Sequence, residues 1–355
     1  MQTVHSKDLQ PLPASIAGTF IRNQFLTTIP LPTLASYPDV AGKCAIVTGS
    51  NTGLGFEAAR QLLALGLSHL VMGVRSLENG RAAADRLRGY SKDSSNTKID
   101  VWHLDMESYD SIQVFAKRCD EELPRRIDMA ILNAGVAHTK FSTVPSTGHE
   151  PTVQVNHIST SLLAMLLLPQ LAAGAKDGLR PGRLTIITSL TAHICEFPMQ
   201  SQRTLLKAFD ASENFVGDRY GMSKMLNQLF IARLASRHVD PNRVLINMVD
   251  PGLTRGTGLF RHATHSALLT ALAKCVMRIV GRPVERGAAT YIDAVSRPHQ
   301  ESLHGSLLMN CNVAPYCHWY YDDSDGSQGY TDAIWDETME ELKFAGVNDI
   351  VSALK

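Results

Sequence analysis

Residues 43–55 read Lys-Cys-Ala-Ile-Val-Thr-Gly-Ser-Asn-Thr-Gly-Leu-Gly, and the fold is read outward from them. Lys43–Thr48 is a short apolar run with the length of a buried strand. Gly55–Leu65 follows with helical periodicity. Between the two, glycines permit a tight turn in which the backbone can approach whatever lies above it. A strand, a glycine-rich turn and a helix, in that order, predict the first crossover of a parallel α/β sheet. The helix start then offers unpaired N–H groups and a positive dipole end at the strand's carboxyl end.

The alternation continues downstream. His69–Val74, Lys98–Leu104, Ile127–Leu132, Arg183–Thr188 and Val244–Val249 read as strands. Asn79–Leu87, Ser111–Glu122, Gln154–Leu171 and Tyr220–His238 read as the helices between them. Strands separated by helices imply parallel pairing with right-handed crossovers. Near-continuous apolar strands imply that both sheet faces are covered. The expected fold class is α/β: a Rossmann-type, doubly wound parallel sheet in a single domain, residues 41–355, carrying a substrate lid. An N-terminal extension, residues 1–40, precedes it and ends in a proline-punctuated linker. Near the C-terminus, Leu307–Asn310 reads as a last strand, Cys317–Gly329 as a surface loop and Asp332–Phe344 as a final helix.

Composition narrows the function classes. At 355 residues and 44% hydrophobic content, the chain can bury a large core without metal or disulfide staples. Lys+Arg and Asp+Glu are equal at 34 each, which gives no support to nucleic acid or an anionic membrane as the main partner. The six cysteines form no C-x-x-C pair, so no metal site is expected and the thiols read as reduced. The most apolar run, Leu162–Ala173, falls short of the ~20 residues that span a bilayer, and reads as a buried helix. No secretory signal is apparent, and the expected location is cytoplasmic. Ile16–Leu34 is amphipathic at best, interrupted by Pro30 and Pro32. It reads as a cap on the domain, with contact to a membrane surface as the other option.

The turn after the first strand fits a dinucleotide. Gly49, Gly53 and Gly55, with Ser50, Asn51 and Leu54 among them, would let a pyrophosphate rest on the helix N-terminus. Sites for NAD usually place an acid at the end of the second strand, about 20 residues on, to bond the ribose hydroxyls. Here that end reads Gly73-Val74-Arg75-Ser76, without an acid. Arg75 can instead pair with a 2′-phosphate through its fork of donors, so NADPH (NADP+) is expected over NADH.

Tyr220-Gly221-Met222-Ser223-Lys224 places Tyr and Lys on one helix face. A neighbouring ammonium favours the phenolate, so that the tyrosine can give or take a proton near neutral pH. Ser189, at the end of the fifth strand, is placed to donate a hydrogen bond to a substrate carbonyl. The spacing alone is a weak signal; its place in an ordered set makes it strong. That set is TGSNTGLG at 48–55, Asp105 after the third strand, Leu132-Asn133-Ala134-Gly135 after the fourth, Asn156 in the next helix, Ser189, Tyr220 with Lys224, and Asp250-Pro251-Gly252 after the sixth strand.

Over about residues 42–295 the chain closely resembles the short-chain dehydrogenase/reductase family. Its branch resembles that of retinol-type dehydrogenases and fungal secondary-metabolite reductases. The resemblance implies that Tyr220 is the proton donor or acceptor, that Lys224 lowers its pKa and holds the nicotinamide ribose, and that Ser189 orients the carbonyl or alcohol. It implies that Asn156 supports a proton-relay water near Lys224, and that Gly49, Gly53 and Gly55 form the phosphate loop. Asp105 would contact the adenine, Asn133 with Ala134 and Gly135 would support the cofactor, and Pro251, Gly252 and Thr254 would flank the nicotinamide. Family members often pair through the helices carrying Asn156 and Tyr220, which leaves a homodimer open.

Three departures stand out: Leu132 where a second asparagine is frequent, the N-terminal extension, and the long 190–219 gap between Ser189 and Tyr220. The gap is expected to wall the substrate pocket with Glu196, Phe197, Pro198 and Phe215. Residues 252–285 should form the lid, with Leu253, Leu259, Phe260, Leu268, Leu269, Leu272 and Val276 pointing to a lipophilic small-molecule substrate. The expected activity is NADPH-dependent reduction of a carbonyl, or the reverse alcohol oxidation. The alternatives are a non-redox reaction on the same fold (dehydration, isomerisation or cyclisation) and a cofactor-sensing binding protein.

Overall fold

The computed structural model describes residues 4–13, 15–91, 96–123, 126–176, 180–197, 204–257, 277–298, 303–321 and 329–355. Its strands are β1 Cys44–Thr48, β2 His69–Val74, β3 Lys98–His103, β4 Met129–Leu132, β5 Gly182–Ile187, β6 Val244–Asp250, β7 Leu307–Met309 and β8 Asn312–Ala314. They form one sheet in the order β3-β2-β1-β4-β5-β6-β7-β8. Every pairing from β3 across to β7 is parallel, and β8 closes the edge antiparallel. The expected doubly wound parallel sheet is therefore present.

The helices are α1 Ala17–Ile21, α2 Gly53–Ala64, α3 Leu77–Arg88, α4 Tyr109–Glu122, α5 Pro151–Val153, α6 Ser159–Lys176, α7 Leu205–Ala208, α8 Arg219–His238, α9 Val284–Ser296, α10 Tyr330–Glu341 and α11 Val347–Ser352. Helix α1 runs on through a π turn, Arg22–Leu26, and another π turn, Gln154–Ile158, joins α5 to α6. Successive strand residues face opposite sides, so neighbours in β1 serve different cores. Ile46 packs with Phe115, Leu163 and Phe230 on one side, while Val47 packs with Leu62, Tyr291 and Ile292 on the other. Strand order reverses between β1 and β4, and the carboxyl ends there open the crevice in which such sheets bind ligands.

The sequence reading passed over β8 and α9. Strand β8 is too short to show a period, and it is made by its turn. Asn310 and Cys311 take φ 49° and 63°, the positive values a two-residue hairpin turn demands. Helix α9 did carry a signal, with Ala288, Tyr291, Ile292 and Val295 at helical spacing, all buried. The stretch expected as a surface loop instead turns inward where it starts. Cys317 is fully buried, and Trp319 Nε1 donates to the Cys195 carbonyl at 3.3 Å. Residues 322–328 lie outside the described residues.

Helix α10 covers α8, and α11 covers α6. Trp335 stacks on Phe230 at 5.0 Å and on His238 at 4.2 Å, and His157 Nε2 pairs with Thr338 Oγ1 at 3.0 Å. The chain's own C-terminal helices thus lie against the two helices through which a homodimer was left open. The one helix among the described residues that is long and apolar enough to cross a membrane, Pro151–Gly174, is mostly buried in the core.

An ionic clamp ties this C-terminal cover to the 190–219 segment. His149 Nδ1 lies 2.9 Å from Asp210 and its Nε2 lies 3.1 Å from Glu341. The Tyr109 hydroxyl donates to Glu341 at 3.1 Å, and the Glu150 N–H donates to Asp210 at 2.9 Å. Burial opposes the imidazolium, but the hydrogen bonds it donates to Asp210 and Glu341 outweigh it and raise the His149 pKa to about 9. The fold therefore favours the charged ring. Its contribution is complete below the ordinary histidine pKa near 6.5 and is lost as pH rises through about 9. His149→Gln should cost about 2 kcal/mol at pH 6 and markedly less at pH 10, read from urea unfolding at the two pH values. An equal loss at both would show that the clamp does not act through its charge.

Candidate active site

A cavity of about 520 Å³ opens at the carboxyl ends of the strands. Gly49, Asn51, Gly53 and Leu54 line it after β1, Gly73 at the end of β2 with Arg75 after it, and Asp105 after β3. Asn133, Ala134 and Gly135 follow β4, Ser189 follows β5, and Pro251, Gly252 and Thr254 follow β6. Tyr220 and Lys224 enter from α8.

The glycine turn is shaped by close approach. Gly49 holds φ 63°. A Cβ on Gly55 would stand 2.6 Å from both the Gly49 carbonyl and Asn133 Nδ2, so α2 can seat against β1 only without a side chain there. Thr52, at the N-cap of α2, makes no side-chain cap, and the first-turn N–H groups remain available to an anion. A cradle that a Cβ would fill, beneath an uncapped helix start, fits a pyrophosphate. Asn133 braces the cradle. Its N–H and that of Ala134 donate to Thr48 Oγ1 at 2.9 Å, and its Nδ2 donates to the Thr48 carbonyl at 2.9 Å. At the other end Arg75 is exposed on the rim, with its guanidinium 3.5 Å from Glu107. Asp105 accepts the Glu107 N–H at 3.0 Å.

The polar group at the opposite end is compact. Tyr220 hydrogen-bonds with Ser189. The Lys224 ammonium lies 5.7 Å from the centre of the Tyr220 ring and donates to the Ile187 carbonyl at 2.8 Å. Helix α8 sets the Tyr–Lys spacing. Ser189 is placed where β5 breaks into a 3₁₀ turn that it caps itself, its Oγ accepting the Thr191 N–H at 3.2 Å. Burial raises the Tyr220 pKa, the Asp250 carboxylate raises it further, and only the Ser189 bond lowers it. Burial also pulls Lys224 down to about 8. Burial and the Asp250 carboxylate act against the effect expected of the ammonium and favour the protonated hydroxyl.

Three residues expected at the site do not face the cavity. Ser50 is fully buried and its hydroxyl donates to the Val47 carbonyl at 2.9 Å, because the turn rolls it inward. Gly55 faces the Gly49–Asn133 contact rather than the opening. Asn156 is fully buried in the π turn. Its Nδ2 donates to the Val136 carbonyl at 2.8 Å and to Ser223 Oγ at 2.9 Å, while its Oδ1 accepts the Val136 N–H at 2.8 Å. It joins the segment after β4 to α8 beside Lys224, as a brace.

The 190–219 segment also departs from expectation. Phe197 is buried and stacks on Phe209, and Phe215 packs on Phe141 and on the fully buried Arg219. Leu190, Thr191 and Ile194 line the cavity instead. Pro198, Leu259, Phe260, Leu268, Leu269, Leu272 and Val276 lie outside the described residues; Leu253 lines the cavity. Sequence reasoning named Asp250 in its Asp-Pro-Gly motif without giving it a role; it lines the cavity, is 6% exposed and accepts the Leu190 N–H at 3.2 Å. Sequence reasoning missed Ile16, Phe20, Asn23 and Gln24 of the N-terminal extension, which reach the same cavity.

The family model for short chain dehydrogenases matches residues 43–200. The short chain dehydrogenase/reductase mfmJ of Annulohypoxylon moriforme is 42% identical over 355 residues, 99% of each chain. The short chain dehydrogenase virL of Hypocrea virens is 43% identical over 339 residues, 95% of this chain and 94% of that one. Among solved structures, the Pseudomonas aeruginosa RhlG/NADP active-site complex aligns with a TM-score of 0.55 at 22% identity, over 79% of this chain and 97% of that one.

Because the Asp250 carboxylate raises the Tyr220 pKa, Asp250→Asn should lower it. The check is an ultraviolet titration of tyrosinate, with Tyr220→Phe subtracted to isolate the one ring. A Tyr220 titration at the wild-type position would show that Asp250 exerts no field there.

Proposed function

The chain belongs to the short-chain dehydrogenase/reductase family, and from that premise we propose that it uses NADPH to reduce a carbonyl on a lipophilic small molecule. The reaction is reversible, and a secondary-metabolite intermediate is the kind of substrate meant. The observation that carries this reading is the Tyr220–Ser189 hydrogen bond, set beside Lys224 in the same cavity as the glycine cradle.

The cofactor, when bound, supplies the hydride. Gly49, Asn51, Gly53 and Leu54 at the start of α2 would hold its pyrophosphate. Arg75 would take the 2′-phosphate in place of its 3.5 Å contact with Glu107. Asp105 would serve the adenine end, Lys224 the nicotinamide ribose, and Pro251, Gly252 and Thr254 would flank the ring.

The chain's own part is to orient and protonate. Ser189 Oγ donates to the carbonyl oxygen and polarises it. Tyr220 gives its proton to that oxygen as the alcohol forms. Leu190, Ile194 and Leu253 give the surrounding surface its apolar character.

Incubation with NADPH and a panel of lipophilic ketones should consume NADPH, followed by its absorbance. Tight binding without turnover across the panel would favour the non-redox alternative. Tyr220→Phe should lower turnover by about 10²–10⁴-fold with NADPH affinity kept. Turnover like that of the parent would remove Tyr220 from the reaction. Arg75→Ala should weaken NADPH by roughly 10-fold or more while leaving NADH nearly unchanged. Equal effects on both cofactors would refute the 2′-phosphate contact.

A further inference from the structure

The N-terminal extension is fastened to the cavity through its own backbone and amides. Gln24 Nε2 donates to the carbonyls of Leu253 and Val280, each at 2.8 Å, and its Oε1 accepts the Leu253 N–H at 3.2 Å. The buried Arg282 guanidinium donates to the Asn23 carbonyl and to Asn310 Oδ1, both at 2.8 Å. Asn310 Nδ2 reaches the same Asn23 carbonyl at 3.1 Å. Arg286 holds the Ile29 carbonyl at 2.8 Å. Donors that carry a full charge make the stronger hydrogen bonds, so the segment is held in one register.

These anchors fix where the extension meets the cavity. Leu253 follows β6 by three residues, and β6 ends at Asp250, which lines the same cavity as Tyr220. The extension therefore stands beside the carboxyl end of β6. Ile16, Phe20, Asn23 and Gln24 recur at the spacing of one helix face, and all four line the cavity. Asn23 and Gln24 are engaged with the rim. Phe20 and Ile16 are left as the apolar surface that a bound molecule meets. Phe20 is half-buried, and Phe25 braces its ring edge-on at 6.2 Å.

We propose that α1 is a wall of the substrate compartment, and that Phe20, with Ile16 beside it, determines which carbonyl compounds fit. A braced ring at the compartment wall selects flat, lipophilic compounds that can lie against it, aryl ketones above all. The carbonyl in that statement rests on the function proposed above; the wall does not. Phe20 touches no reacting atom, and acts on fit alone.

The test uses the full chain and three aryl ketones of rising bulk: acetophenone, 1-tetralone and benzophenone. Phe20→Ala should raise KM for 1-tetralone about 10-fold or more, change kcat by no more than about 3-fold, and shift the preference toward benzophenone. Phe20→Leu should recover part of the loss. NADPH affinity and the thermal unfolding midpoint should stay close to those of the parent. Unchanged KM ratios across the three ketones would overturn the proposal. So would a loss of NADPH affinity as large as the rise in KM, since that would place the helix at the cofactor.

Ketone binding to the NADP+-loaded proteins, measured by saturation-transfer NMR, separates this proposal from the reaction itself. If the parent binds 1-tetralone without reducing it and Phe20→Ala loses the binding, the reaction fails and the wall stands. If both proteins bind and reduce all three ketones alike, the wall fails and the reaction stands. If the parent binds none of the three, the wall as an aryl-ketone selector is overturned.

Discussion

The crossovers of this sheet turn to opposite faces at one place, between β1 and β4, and the molecule has to be held together where it divides. The ladder between those strands is short, running only from Ala45–Met129 to Val47–Ile131. Beyond it the backbones separate, and Thr48 and Asn133 take over with side-chain bonds. Thr48 Oγ1 accepts two N–H groups, Asn133 Nδ2 returns a bond to the Thr48 carbonyl, and the Tyr291 hydroxyl from α9 donates to Asn133 Oδ1. The same knot sets the floor under Gly49 and Gly55 and the start of the segment that leads to Gly135 and Asn156. Loosening it would disturb the phosphate cradle and the Tyr220 end together.

Much of this was legible in the sequence because the features are local. A strand, a glycine turn and a helix declare themselves within 43–65, and β2 shows its whole length as an apolar run ending at Arg75. Tyr220 and Lys224 needed only a helix to meet. What escaped depends on contacts between distant segments. Nothing near residue 20 shows that Arg282 and Asn310 will grip Asn23, or that the extension will face the cavity. Asn156 stood out by its order among site residues, but nothing in its neighbourhood shows that it will lie buried in a π turn, bonded to Val136 and Ser223. Phe197 looked like a pocket wall, but found Phe209 first. An apolar side chain signals burial, and sequence does not say against what.

The electrostatics carry the same lesson. A Tyr–Lys pair read as a spacing places a cation beside a phenol, and the sign of the effect follows from Coulomb's law. In the folded chain the pair lines a cavity that Asp250 also lines. Desolvation acts on both partners, holding the proton on the tyrosine and loosening the one on the lysine. The state of the pair is a property of its enclosure rather than of its spacing.

The C-terminal cover has a further consequence. Trp335 lies on α8 and Thr338 on the π turn, both from the same chain. The His149 clamp secures them through Glu341. The back of α8, the helix that presents Tyr220 and Lys224 to the cavity, is therefore supported by an intramolecular contact. Such support has no concentration term: it is as complete at nanomolar dilution as in a crowded cell, and its loss would come by unfolding or cleavage of the tail, not by dissociation.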